Sequence, residues 1–127
     1  LAQVLEDARH KPYVLGEHDC FRVACAVVQA LTGVDHWPMF CGYNTKREAL
    51  LRIAAYGGTF RAAGDRLFGV ASSELVLHAR RGDIAALADL AGELHLGVVT
   101  GTHIWGVSGA GVVQVPVTKA QYAWSIG

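Results

Sequence analysis

Gly16-Glu17-His18-Asp19-Cys20-Phe21-Arg22-Val23-Ala24-Cys25-Ala26-Val27-Val28-Gln29-Ala30-Leu31 is the stretch that decides the fold. From Cys20 to Leu31 only Arg22 and Gln29 are polar. A helix that is apolar nearly all round belongs in the middle of a domain. Gly16 interrupts the chain before it, Asp19 has the side chain of an N-cap, and Gly33 suits the C-terminal stop. The reading is a buried helix over Cys20–Leu31 with a thiol in its first turn. Backbone N–H groups are unpaired there, and the helix dipole is positive. That setting favours thiolate over thiol and lowers the cysteine pKa. The competing reading is packing, because cysteine is among the commonest buried residues. Cys25 lies amid Ala and Val and is expected to be inert, and the Cys41 loop holds no obvious activator. The three cysteines form no metal-ligand spacing and leave an odd thiol, which favours synthesis in a reducing compartment.

Upstream, Leu1, Val4, Leu5 and Ala8 recur at helical spacing, and Pro12 ends that helix. Downstream, Val34–Asn44 reads as an ordered loop in which Trp37, Phe40 and Tyr43 either pin the loop to the core or line a groove. Thr45 caps a helix over Lys46–Tyr56, with Glu48 completing a capping box and Gly57-Gly58 ending it. Phe60–Phe68 and Ser72–His78 read as shorter helices. After Arg80 the pattern changes. Asp83–Leu87, Leu94–Thr100, His103–Val107 and Val112–Val117 are short and rich in β-formers. Turns at Ala91-Gly92, Gly101-Thr102 and Ser108–Gly111 separate them. Helices followed by hairpin-linked strands imply one α+β domain over residues 1–127, not βαβ units. Trp124 is expected to dock the end of the chain.

Eleven Lys and Arg balance eleven Asp and Glu, so no basic surface invites nucleic acid. Just over half of the residues are apolar, as a folded chain requires. No stretch reaches the roughly 20 apolar residues of a membrane span, and no signal-peptide pattern opens the sequence. No metal or cofactor is implied.

A nucleophilic thiolate needs an imidazole to take and return a proton. His10, His36 and His78 have no supporting context. His18 stands two residues before Cys20 and either faces the same cleft or is an ordinary loop residue. His95 and His103 each lead a predicted strand.

The order Gly16–Phe21, then Arg81-Gly82-Asp83-Ile84-Ala85-Ala86-Leu87, then His95-Leu96-Gly97-Val98-Val99-Thr100-Gly101 resembles the NlpC-type cell-wall cysteine peptidases. Leu31–Asp35, Tyr56–Gly58 and Ala123–Gly127 extend the likeness to a small branch encoded among phage tail genes. In place of the family's Ser-Gly-Phe after the cysteine stands Phe21-Arg22-Val23. The resemblance implies a papain-like fold with N-terminal helices packed on a small antiparallel sheet. It implies an amidase or endopeptidase acting on peptidoglycan stem peptides, with Cys20 as nucleophile and His95 as base. His103 would orient the imidazole, with Gln114 in reserve, and the backbone N–H of Cys20, with Tyr13 or His18, would hold the oxyanion. It equally admits a catalytically inactive structural module of a phage tail tip or baseplate. The expected setting is the virion, after synthesis in the host cytoplasm and with possible action in the host envelope.

Overall fold

The computed structural model describes residues 1–69, 75–108 and 111–126. Its elements run α1 (Ala2–Arg9), α2 (Cys20–Thr32), α3 (Trp37–Phe40), α4 (Lys46–Tyr56), α5 (Phe60–Phe68) and α6 (Leu75–His78), then β1 (Ile84–Ala88), β2 (Leu94–Val99), β3 (His103–Ser108), β4 (Gly111–Pro116) and β5 (Tyr122–Trp124). The chain is α+β, and among the described residues six helices precede one five-stranded sheet. Strand order is β4-β3-β2-β1-β5, and every pairing is antiparallel.

Asp19 caps α2 by accepting the Arg22 N–H, and Gly33 closes the helix at φ 82°. Thr45 Oγ1 likewise accepts the Glu48 N–H at the head of α4. The expected loop over Val34–Asn44 instead contains α3, with Pro38 in its first turn, where a missing N–H costs no helical bond. The expected helix over Ser72–His78 is seen as Leu75–His78; residues 72–74, Gly109, Ala110 and Gly127 of the sequence readings lie outside the described residues. The fourth strand ends at Pro116, and Val117–Lys119 turn as a 3-10 helix. Pro116 fixes φ and donates nothing to a ladder. The end of the chain docks as a short fifth strand: Ala123 pairs with Ala85, and Trp124 with Ile84. Trp124 is fully buried and donates its indole N–H to Asp65 Oδ1 at 2.9 Å. Gly64 makes room for it, since a Cβ there would lie 2.3 Å from Trp124 Cζ2.

Strand alternation sorts the sheet residues onto two faces. Ile84, Ala86, Leu96, Val98, Trp105, Val107, Tyr122 and Trp124 face the helices and form the main core with Phe21, Ala24, Val27 and Val28 of α2. Ala85, Val99, Ile104 and Ala123 form a second, smaller cluster on the opposite face, with Leu87 and Val115 against it. The aromatic residues after α2 pin that segment to the core. Phe21 stacks on Phe40 at 4.5 Å, and Phe40 meets Tyr43 and Tyr56 edge-on.

Candidate functional site

The head of α2 is held by one buried carboxylate. Asp19 is 1% exposed. Its Oδ1 accepts the Arg22 N–H at 2.9 Å, and its Oδ2 accepts the Gly16 N–H at 2.9 Å and the Tyr43 hydroxyl at 2.6 Å. A buried acceptor needs such partners to offset its lost hydration. Gly16 is obligatory in this knot: its φ is 84°, and a Cβ would lie 1.7 Å from the Tyr43 carbonyl oxygen.

Cys20 follows directly and lines a cleft of about 390 Å³. Tyr13, Leu15, Phe60 and one side of α4 supply other walls. Lys46 of α4 and Glu93, before β2, form a 2.8 Å ion pair beside it. The sequence reading expects the helix head to lower the Cys20 pKa, and the surroundings of the thiol act in the opposite sense. Burial pushes it up to about 12, and the nearby Asp19 carboxylate pushes the same way. Backbone hydrogen bonds from Leu96, Phe21 and Cys20 itself act downward. The helix-head effect is therefore present, but desolvation outweighs it. Burial also pushes the Tyr13 hydroxyl up to about 12, aided by the charges of Cys20, Asp19 and Glu93. Tyr13 and Cys20 thus line the same cleft. Cys25, fully buried, is likewise pushed up to about 12 by desolvation.

The other expected partners lie elsewhere. His95 borders the cleft, but it pairs in register with Leu87 and alternates with Leu96, so its side chain leaves β2 on the face away from α2. There its Nε2 is 3.0 Å from Asp89 Oδ2. Asp89 also accepts the Ala91 and Glu93 N–H groups, which holds the β1–β2 turn. Its carboxyl is kept below the usual range, chiefly by the hydrogen bond from His95. No hydrogen bond joins Cys20 to His95 among the described residues. His103 cannot orient that ring. It sits at the far end of β2, where its carbonyl accepts the Thr100 N–H, and its Nδ1 contacts Thr102 Oγ1 at 2.9 Å. Five residues of strand, about 17 Å, separate the two ends. Gln114 is exposed on β4, opposite Trp105 and two strands from β2, which carries His95. His18 is buried with Nε2 at 2.9 Å from the Ala8 carbonyl, so it ties α1 to the turn before α2. The sequence readings missed Asp19 as the hub joining Gly16 to Tyr43. Its N-cap role was legible, but the reach to Tyr43 was not.

Among the described residues, no group of three or more His, Cys, Asp or Glu side chains is placed to hold a metal ion. No helix there is long and apolar enough to cross a membrane. No curated protein and no solved structure matches the chain. One family model, described as a domain of unknown function, matches residues 1–126. Because that match spans nearly the whole sequence, the chain belongs to the DUF6950 family.

Proposed function

We propose that this chain is a papain-like, NlpC-type domain that works without hydrolysis, as a structural module joining neighbouring proteins in a phage tail tip or baseplate. The observation that carries the non-catalytic half is the division of the expected pair between two faces of the sheet. Cys20 packs with the helix-side core, while the His95 ring is held by Asp89 on the other side. A thiol pushed up to about 12 is almost wholly protonated at neutral pH, and the nucleophile in such chemistry is the thiolate. The phage setting rests on the resemblance of the Gly16–Phe21, Arg81–Leu87 and His95–Gly101 segments.

The rival reading is a peptidoglycan amidase or endopeptidase. It is favoured by the position of Cys20 at a helix head, in an open cleft, with backbone hydrogen bonds reaching its sulfur. Digestion of purified peptidoglycan separates the two. Wild type and Cys20→Ala are expected to release the same negligible amount of fragment, and iodoacetamide at neutral pH is expected to label Cys20 no faster than Cys41. Fragments made by the wild type and lost in Cys20→Ala would return the site to catalysis.

A further inference from the structure

The sheet ends on β4, and the sequence there is unusual for an edge. From His103 through Thr118 there is no Asp, Glu, Lys or Arg. Exposed edges normally carry charges, Pro, bulges or a covering element, because their free N–H and C=O groups template another strand; β4 has Pro116 at its end but no charged side chain. Here Val112 and Val113 are each 41% exposed, and among the described residues β4 pairs only with β3.

The ladder shows which backbone groups are free. The Val117 N–H donates to the Thr102 carbonyl, and the His103 carbonyl accepts from Thr100 on β2. Alternation then turns Val113 and Val115 toward β3, while Val112 and Gln114 direct their N–H and C=O groups outward. Pro116 falls on the same outward set, the one position class where an absent N–H breaks no bond to β3.

We propose that β4 is a self-association edge, on which a second copy of this chain adds its own β4 antiparallel about a two-fold axis at Val113. Each Val112 then exchanges both backbone hydrogen bonds with Gln114 of the second copy, and Val113 faces Val113. A second copy is the occupant favoured by charge. The pairing sets only Val and Gln side chains opposite one another, and two chains that each carry eleven cationic and eleven anionic side chains have no net repulsion to overcome. It is also favoured by continuity. Val113 and Val115 line a mainly apolar groove of about 670 Å³ on the far face of the sheet, whose lining also includes Asp89, His95 and Lys119, and the two-fold joins the two grooves edge to edge. The pairing depends on the edge alone and stands whether or not the Cys20 cleft is catalytic. A strand-edge contact of this size is weak and reversible, so it is measured at high protein concentration.

Sedimentation equilibrium of the full chain is expected to rise toward twice the 13.5 kDa monomer mass at high concentration. Val113→Lys, which sets two ammonium groups face to face at the axis, is expected to stay monomeric, with circular dichroism confirming its fold. The register has its own test. Residues at 113 form a non-hydrogen-bonded pair whose Cα atoms are about 4.5 Å apart, within reach of a disulfide. Under mild oxidation Val113→Cys is therefore expected to cross-link several-fold faster than Gln114→Cys, above the background of the native thiols. This pair decides the matter even if Val113→Lys does not fold. A wild type that stays monomeric throughout, a dimer unmoved by Val113→Lys, or equal cross-linking of the two cysteine variants overturns the proposal; a monomer would leave the edge to a different protein.

Discussion

Asp19 and Asp89 are both carboxylates that accept two backbone N–H groups, and they sit on opposite sides of one sheet. Asp19 is buried, takes a tyrosine hydroxyl as a third partner, and fixes the head of the central helix. Asp89 stands in solvent and holds a histidine at a turn. The same hydrogen-bond pattern therefore serves different ends. In a dry setting each bond is needed to avoid a buried, unpaired polar group; in a wet one water is an adequate substitute. The larger core lies on the helix side, and the far face carries the smaller cluster of Ala85, Val99, Ile104 and Ala123.

That contrast is open to attack from both sides. The largest effect is expected from Asp19→Ala, which removes the cap of α2 and strands the Tyr43 hydroxyl and Gly16 N–H. Chemical denaturation is expected to show a loss of about 4 kcal/mol. A loss no larger than that of an ordinary surface substitution would mean that the buried knot is not a unit.

A smaller effect is expected from alkali. Cys20 and Cys25 are raised in the folded chain from 9.0 to about 12, so the folded form keeps protons that the unfolded chain releases. Their contribution is complete below pH 9 and is lost as pH rises toward 12. The free energy of unfolding is expected to fall across that window, by roughly 3 kcal/mol for each thiol at about pH 11. The fall is expected to be shallower in Cys20→Ala. An unchanged slope in that variant would remove the buried-thiol account of Cys20.

The smallest effect belongs to the far face. His95→Ala is expected to lower the unfolding midpoint only slightly at neutral pH and to leave the alkylation rate of Cys20 unaltered. By NMR titration, Asp89 is expected to return upward toward the ordinary carboxylate range, because its main stabilising donor is gone. The pH sense follows. A lowered carboxylate favours the folded state above its ordinary range and loses that as pH falls, so the variant has less to lose in acid. A change in Cys20 reactivity on replacing His95 would show that the two groups communicate, and the division between the faces would fail.

Local signals were enough for the helices. Asp19, Gly33, Thr45 and Glu48 act within one turn of their own backbone, so capping chemistry located α2 and α4 closely. The elements that escaped were α3 and β5, four and three residues long. Segments that short show no full period, and β5 exists because β1 offers it a partner. The site was legible as far as the placing of Cys20 at a helix head. The direction of His95 was not. In Leu94-His95-Leu96-Gly97-Val98-Val99 both alternating sets contain apolar residues, so the pattern alone leaves open which set meets α2.

By itself, the order of residues determined an α+β chain with a thiol in the first turn of a buried helix, because caps, breakers and apolar runs act over a few residues. Tertiary structure decided which face of β2 carries the imidazole and whether the thiol keeps its proton. Both depend on what packs across the sheet: strand register selects the face, and desolvation by distant residues exceeds the nearby pull of the helix head.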